Sequence, residues 1–192
     1  MPLSIPHVYL ASTSPRRAEL LSLLNVNFSL LSINVPEIIQ IGESPEEYVV
    51  RLAIDKATFG LGLTKGVDPI IAADTIGVLD KEILEKPKDE AEAIEMLMKL
   101  SNRTHTVYTG VCILNQTKQI TELISTEVTF RQLGMDEIKS YVDTGDPFDK
   151  AGAYGIQGRA GAFVEAINGN YHNVVGLPLA HVSKLLKCFY DN

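Results

Sequence analysis

The stretch from Ile70 to Lys88 contains an acid within an apolar run, Asp74, and a later pair of cations, Lys86 and Lys88, which are the residue types that metal-assisted phosphate chemistry uses. Residues 70–73 are small and apolar, which predicts a strand buried on both faces, and Asp74 ends this run with a carboxylate. A buried carboxylate is costly unless it is paired, bound to a metal or placed at the rim. Lys86 follows in a basic loop, so the pattern indicates phosphate chemistry with a metal ion. A turn-forming Asp with surface lysines beyond it is the alternative.

A second group of cations lies near the N-terminus, where the sequence favours the start of a helix. Ser14 is a suitable N-cap residue and Pro15 suits the first helical position, which places Arg16 and Arg17 in the first turn. Cations there oppose the helix dipole, which favours anions at this end. Free N–H groups, hydroxyls and two guanidinium groups therefore indicate an anion site. The alternative is a capped helix with two solvated arginines.

Three further polar side chains have roles that depend on their neighbours. Lys56 lies on the apolar stripe of a predicted helix, so its ammonium must either extend to solvent or meet an anion such as a phosphate. Glu37 lies in a loop, where a carboxylate by itself indicates only a solvated face. Gln157 lies in the segment 145–161, which has five glycines in seventeen residues and indicates a backbone close to a partner. Its amide could read the edge of a planar base or stabilise a turn.

Composition limits the classes of protein that this chain can be. With 192 residues and 45% hydrophobic content, it can form one sizeable core, or one domain with two lobes. A net charge of −7 and the absence of Trp argue against nucleic-acid and acidic-membrane partners. No leader pattern and no long apolar run occur, so we expect a soluble, non-secreted protein with two reduced cysteines. The four histidines show no metal-ligand spacing, so zinc is not expected.

Periodicity and turn residues predict alternating helices and strands with no internal repeat or linker. Two helices have a capping-box pattern at their start, Ser44 with Glu47 and Asp89 with Glu92. The predicted strands are 8–11, 28–33, 70–73, 105–114, 119–130 and 162–167, and the predicted helices are 15–24, 44–59, 89–100, 135–142 and 178–189.

Taken together, six segments resemble the Maf family of nucleoside triphosphate pyrophosphatases. They are ASTSPRR at 11–17, ADT at 73–75, KPK at 86–88, YTGV at 108–111, DKAGAYGIQG at 149–158 and NVVGLP at 173–178. They occur in the family's order along nearly the whole chain, so residues 1–192 are interpreted as a single domain. The segment 149–158 resembles the subgroup that hydrolyses dTTP and UTP rather than the subgroup that acts on 7-methyl-GTP.

The resemblance implies an α/β fold, with a mixed, strongly curved sheet flanked by helices and two lobes around a central cleft. It implies hydrolysis between the α- and β-phosphates, a divalent cation (Mg²⁺ or Mn²⁺), a cytoplasmic setting and a homodimer. Asp74 and Glu37 would hold the metal, and Asp74 would also accept a proton from the attacking water. The residues implied to bind the substrate are Ser12, Arg16, Arg17, Lys56, Lys86 and Lys88 for the phosphates, and Arg16, Thr75 and Gln157 for the base.

Two positions depart from the family pattern, and two other functions stay open. Glu85 stands where many members have Gly, which could alter the loop near the phosphates, and Pro36 precedes Glu37 where an acid is common. One alternative is a different pyrophosphatase, acting on 7-methyl-GTP or on modified pyrimidine nucleotides. The other is a nucleotide-binding regulator of cell division or septum formation in which hydrolysis is secondary.

Overall fold

The structure, a computed structural model, describes residues 6–191 and has the α/β architecture that the sequence predicts. Its strands are β1 Val8–Ala11, β2 Phe28–Leu31, β3 Ile70–Leu79, β4 Glu82–Leu84, β5 Thr104–Leu114, β6 Gln119–Phe130 and β7 Val164–Asn168. Its α-helices are α1 Pro15–Ser22, α2 Pro45–Gly62, α3 Glu90–Leu100, α4 Met135–Val142, α5 Tyr171–Val175 and α6 Leu179–Tyr190. Three short 3₁₀ helices are Asp146–Asp149, Ala151–Ala153 and Arg159–Phe163. Within residues 6–191, no helix combines the length and the apolar character that crossing a membrane requires.

The seven strands form one mixed sheet in the order β2-β1-β3-β5-β6-β7, with β4 paired to β3. β1 runs parallel to both β2 and β3, with Val8 opposite Phe28 and Tyr9 opposite Ile70. β4 pairs with β3, and β7 with β6, in the antiparallel sense. The prediction of a mixed sheet flanked by helices is therefore confirmed.

The sequence prediction was wrong about where the strand that carries Asp74 ends. β3 continues from Ile70 through Asp74 to Leu79, so this carboxylate lies inside the strand rather than at its end. The residues after Asp74 are mostly β-branched or apolar, and the end of β3 pairs with β4 through Gly77 and Leu84. A single charge therefore interrupts the apolar pattern without interrupting the strand.

Two short elements, β4 and α5, were not predicted because three and five residues show too little periodicity. The β3–β4 hairpin also lacks the usual Asn-Gly signal, since Asp80 and Lys81 adopt the positive φ angles of its turn. Elsewhere the bounds of β1, β6 and α4 match the prediction at both ends. The strand predicted at 28–33 ends at Leu31.

The chain divides into two compact units, each described by itself below. The first comprises the chain up to Asp74, Thr109–Ile124 and the chain from Gly176 onward, and the second comprises Thr75–Tyr108 and Ser125–Val175. The interpretation of residues 1–192 as one domain, with two lobes and a cleft, stays a prediction.

In the first unit, α2 packs closely on the sheet because two glycines leave room for it. A Cβ at Gly60 would lie 3.1 Å from the Cβ of Ala11, and a Cβ at Gly110 would lie 2.5 Å from the carbonyl oxygen of Val49 on α2. The buried cluster beneath this contact is built largely of small side chains: Ala11, Ala53, Ala57, Ile70, Ala72, Cys112 and Leu114. Small residues on both surfaces therefore set the height of α2 above the sheet.

The second unit has an aromatic core. The ring of Phe130 meets Tyr154 edge-on at 4.8 Å and His105 at 5.3 Å. His105 Nε2 and the Tyr154 hydroxyl are 2.8 Å apart, and burial lowers the pKa of His105 to about 4. His105 is therefore neutral at pH 7 and serves as a polar member of this core.

We expect Gly110→Ala to lower the free energy of unfolding by about 2 kcal/mol, because the new methyl group meets a backbone carbonyl that cannot rotate away. Gly62→Ala in α2 is the matched control, since only the helix's own backbone lies within 4 Å of the place that its methyl group would take. Alanine favours a helix over glycine, so this control should not lower stability. Urea unfolding of both variants checks the prediction, and equal midpoints for the two would contradict it.

Candidate active site

The turn between β1 and α1 places two predicted phosphate ligands at the start of a helix. Ser12 is buried, and its Oγ accepts a hydrogen bond of 3.1 Å from the backbone N–H of Ser14. Arg16 lies in the first turn of α1, as predicted. Ser14 occupies the N-cap position but its side chain makes no capping bond, so the predicted capping role of that hydroxyl is wrong. Ser12 instead orders the turn, while its own hydroxyl hydrogen remains available to donate.

Arg17 is oriented by the segment before α6. Its Nε donates a hydrogen bond of 2.9 Å to the carbonyl oxygen of Gly176, whose φ of +120° few side chains tolerate. Burial lowers the pKa of Arg17, whereas the negative charges of Asp74 and Glu37 act in the opposite direction. The charges of these two carboxylates, which belong to the same unit, therefore favour the protonated guanidinium.

Lys56 connects those two carboxylates directly. Its Nζ lies 2.5 Å from Asp74 Oδ1 and 2.6 Å from Glu37 Oε1. Lys56 and Asp74 are each 6% exposed, so both charges are almost fully removed from water. Of the two alternatives that the sequence left open for Lys56, the structure shows contact with an anion, although the anions that it contacts are protein carboxylates and not a phosphate.

The start of α2 explains how Lys56 comes to face the sheet. Ser44 and Glu47 form the predicted capping box, with bonds of 3.2 Å and 2.9 Å, and Pro45 occupies the first helical position. Lys56 then follows Leu52 and Ala53 on the buried face of the helix. Local sequence signals thus set the register of α2, and that register directs the ammonium to β3.

The first unit therefore brings three charged side chains, Glu37, Lys56 and Asp74, into direct contact, and Arg16 and Arg17 of α1 belong to the same unit. The cations of this unit can bind an anion. The carboxylate oxygens of Asp74 and Glu37 are hard ligands suited to Mg²⁺ or Mn²⁺. Within the described residues, no group of three or more His, Cys, Asp or Glu side chains could hold a metal ion. A divalent cation here would therefore complete its coordination with ligand phosphates and water, as Mg²⁺ commonly does.

Four predicted site residues belong to the second unit, and their part in the site stays a prediction. Thr75 directly follows Asp74 along β3, so the two side chains point to opposite faces of the sheet. Lys86 and Lys88 are exposed on a loop whose proline is buried between them. Two hydrogen bonds hold this loop: the Gly152 N–H donates to the Glu85 backbone carbonyl at 3.1 Å, and the Lys88 N–H donates to the side-chain Oε2 of Glu92 at 2.7 Å.

The fourth of these residues, Gln157, is exposed in the glycine-rich segment. The segment folds tightly on itself: Gly158 N–H donates to the Gly155 carbonyl at 3.0 Å, and a Cβ at Gly155 would lie 2.7 Å from Lys150 Cε. A Cβ at Gly161 would meet the Ile156 carbonyl oxygen at 2.6 Å. In the described residues, the close backbone contacts that these glycines allow are therefore contacts within the segment itself.

Sequence reasoning missed two residues that support this cluster, Arg51 and Glu43. Arg51 Nε lies 2.5 Å from Glu43 Oε1, and its Nη1 lies 3.0 Å from Asp55 Oδ2. The Arg51–Asp55 pair has the i,i+4 helical spacing that a sequence can reveal. Glu43 lies before the helix begins, where no spacing rule predicts its partner.

Comparison with known proteins decides the family. A profile described as Maf-like protein matches residues 7–189. The chain belongs to the Maf family. It is 48% identical over 183 residues to a protein named dTTP/UTP pyrophosphatase from Photorhabdus laumondii subsp. laumondii, covering 95% of this chain and 94% of that protein.

A second relative, from Salmonella typhimurium, is also named dTTP/UTP pyrophosphatase and is 50% identical to this chain over 182 residues. That alignment covers 95% of this chain and 92% of the relative. Among solved structures, the Ham1 protein of Staphylococcus aureus matches with a TM-score of 0.48 and 15% identity. It covers 65% of this chain and 72% of that one.

Removing the Lys56 ammonium should cost stability, because it leaves the buried Asp74 carboxylate without its closest cation. We expect Lys56→Met to lower the free energy of unfolding by about 3 kcal/mol. Adding Asp74→Asn to that variant should recover much of the loss, since the unpaired charge is then gone. Urea unfolding of the two single variants and the double variant measures this coupling.

Lys99→Met is the control for that cycle, because Lys99 pairs with Glu95 on an exposed helical face. This substitution should leave the unfolding midpoint unchanged. Additive effects of Lys56→Met and Asp74→Asn would show that the Lys56–Asp74 contact does not stabilise the fold.

Proposed function

We propose that this protein hydrolyses dTTP and UTP to the nucleoside monophosphate and pyrophosphate, and so removes these or modified pyrimidine nucleotides from the nucleotide pool. The observation that carries the proposal is an identity of 48–50%, over almost the full length of both chains, to relatives named dTTP/UTP pyrophosphatase. The charged cluster of the first unit supports it, because Lys56 and Asp74 are in direct contact and Arg17 belongs to the same unit, and these are residue types that phosphate chemistry uses.

Binding of the triphosphate is assigned to the cations and to one hydroxyl. Arg16 and Arg17, in the first turn of α1, would hold phosphate oxygens together with the N–H groups of that helix end. Ser12 would add a hydrogen bond. The substrate carries several negative charges, and the lysines assigned to it are Lys56, Lys86 and Lys88. These contacts position the α-phosphorus and offset charge as the bond to the β-phosphate breaks.

A divalent cation, Mg²⁺ or Mn²⁺, is assigned to Asp74 and Glu37. Both offer carboxylate oxygens beside Lys56 Nζ, which is a donor set that these ions accept. When bound, the ion supplies positive charge to the phosphate oxygens. Lys56 contacts both carboxylates, so it keeps them oriented towards one point.

Asp74 is assigned the role of the general base that takes a proton from the attacking water. Its Oδ1 accepts a hydrogen bond from Lys56, which leaves Oδ2 as the oxygen for the water. Burial in β3 gives this carboxylate a fixed direction, because neighbouring side chains restrict its rotation.

Recognition of the pyrimidine nucleobase of the substrate is assigned to Arg16, Thr75 and Gln157. Uracil and thymine each present an acceptor (O4) beside a donor (N3–H), and a single glutamine amide offers the matching donor and acceptor. Such polar matching rejects a wrong base better than an apolar slot does.

Two further proposals follow the family resemblance: a cytoplasmic location and a homodimer. The charge of −7 fits a protein without nucleic-acid or membrane partners. Light scattering coupled to size-exclusion chromatography gives the molecular mass in solution. A mass of 21.0 kDa, that of one chain, would contradict the proposed homodimer.

Pyrophosphate release from a panel of nucleoside triphosphates tests the proposed function. The panel contains dTTP, UTP, CTP, GTP, ATP and 7-methyl-GTP, each with Mg²⁺, with Mn²⁺ and with EDTA. Metal-dependent release from dTTP and UTP, with little from the purines, is the expected result. Nucleotide binding without release from any of the six would instead favour the regulatory role.

We expect Asp74→Asn to fold but to lower kcat by about 10²-fold or more, the usual scale for a lost general base. Asp136→Asn, an exposed acid in the first turn of α4, is the matched control and should keep wild-type kcat. Steady-state kinetics on dTTP, with circular dichroism as a fold check, measures both variants. A kcat of wild-type size for Asp74→Asn would remove Asp74 from this role.

Gln157→Ala should change the preference among bases more than it changes stability, because Gln157 is exposed and its amide is assigned to the base. We expect kcat/KM for UTP to fall by about 10-fold or more relative to CTP. The control is Gln132→Ala, another exposed glutamine of the second unit. If the ratio of kcat/KM values across the panel stays constant, Gln157 does not select the base.

A further inference from the structure

The part of the loop from Glu37 to Gly42 is not held by burial. Residues 32–40 form no helix or strand, and every residue from Glu37 to Gly42 is exposed. Three of them are isoleucines, with exposed fractions of 71% for Ile38, 48% for Ile39 and 107% for Ile41. The apolar side chains therefore do not anchor residues 37–42, although Ile33 at the start of the loop packs against the core, and polar contacts must set the conformation of residues 37–42.

Arg51 of α2 makes those polar contacts. Its Nη2 donates a 2.9 Å hydrogen bond to the carbonyl oxygen of Ile38, the residue directly after Glu37. The same guanidinium also pairs with Glu43, near the end of the loop, with Nε 2.5 Å from Glu43 Oε1 and Nη2 2.8 Å from Glu43 Oε2. Glu43 Oε2 also accepts the backbone N–H of Gln40 at 2.9 Å. One side chain thus connects Ile38, in the middle of the loop, and Glu43, near its end, to the helix.

The surroundings of Arg51 restrict its own movement. Asp55 accepts from Nη1 at 3.0 Å, and the guanidinium lies 5.5 Å from the centre of the Tyr48 ring. The hydrogen bond from Arg51 to Glu43 raises the pKa of Arg51, and the same bond lowers the pKa of Glu43. Planar, two-point pairing of this kind sets direction as well as distance, which a lysine in the same place would not do.

We propose that Arg51, acting with Glu43, is a positioning residue that holds the Glu37 carboxylate beside Lys56 and Asp74 and thereby sets the affinity of the site for a divalent cation. The inference rests on the proposed function, because it uses the assignment of Glu37 to the metal. Lys56 and Arg51 lie on the same helix, so α2 fixes Glu37 at two points, its own carboxylate and the following peptide group.

Arg51→Met tests the inference, since it keeps much of the aliphatic length and removes the guanidinium. Mn²⁺ binding, followed by electron paramagnetic resonance without nucleotide, should weaken by about 10-fold, the usual lower scale for losing a group that orients a metal ligand. Amide hydrogen exchange in residues 37–43 of the metal-free protein should become faster. Arg51→Lys should show a loss between wild type and Arg51→Met, because it keeps the charge without the paired geometry.

Arg131→Met is the matched control. Arg131 also pairs with one glutamate at two points, Glu137 at 2.9 Å and 2.7 Å, and lies 5.8 Å from an aromatic ring centre, that of Phe163. This pair belongs to the second unit, whereas Glu37 and Asp74 belong to the first. The control should keep wild-type Mn²⁺ affinity even where its unfolding midpoint falls.

The outcomes separate this inference from the proposed function. Unchanged Mn²⁺ affinity in Arg51→Met, or an equal loss in Arg131→Met, overturns the positioning role, as does the absence of Mn²⁺ binding by the wild type. Weaker Mn²⁺ binding and faster exchange confined to Arg51→Met support it. A wild type that binds Mn²⁺ but releases no pyrophosphate from any nucleotide overturns the proposed function and leaves the positioning role standing.

Discussion

The position of the Lys56 ammonium between Asp74 and Glu37 is the interaction on which the rest of the first unit depends. An ionised carboxylate in the middle of a buried strand is tolerated only when a cation lies within direct contact. That contact requires α2 to lie close above the sheet, and the missing side chain of Gly110 makes this approach possible. The packing of small residues and the pairing of charges are therefore one constraint, because neither is satisfied without the other.

The same constraint separates two kinds of residue among those that the proposed function assigns to the substrate and the metal. Asp74 and Lys56 are buried and paired, so we expect them to contribute to the stability of the fold in addition to the chemical roles proposed for them. Lys86, Lys88 and Gln157 are exposed, and their side chains can change without opening the core. Substituting a buried, paired residue is expected to change both the free energy of unfolding and the activity. Substituting an exposed residue is expected to change mainly ligand binding.

Glu37 falls between these two kinds. Its loop has exposed isoleucines and no regular structure, yet its carboxylate meets Lys56 at 2.6 Å. Polar contacts from Arg51 and Glu43 replace the burial that orders the other members of the cluster. A loop held in this way can be precise without being part of the core, which suits a Maf-family site that must admit a charged ligand.

The sequence by itself determined the elements whose signals are local. Capping residues, prolines and periodicity predicted α2 and α4, because these signals lie within one or two turns of chain. The family motifs contain Arg16, Arg17 and Asp74, but neither Glu37 nor Lys56 lies in one of them. Tertiary structure alone decided that β3 continues through Asp74, since the cation that permits it lies 18 positions away on another element. It also decided the pairing of Arg51 with Glu43 and of Arg17 with the Gly176 carbonyl, because no spacing rule joins residues across separate elements.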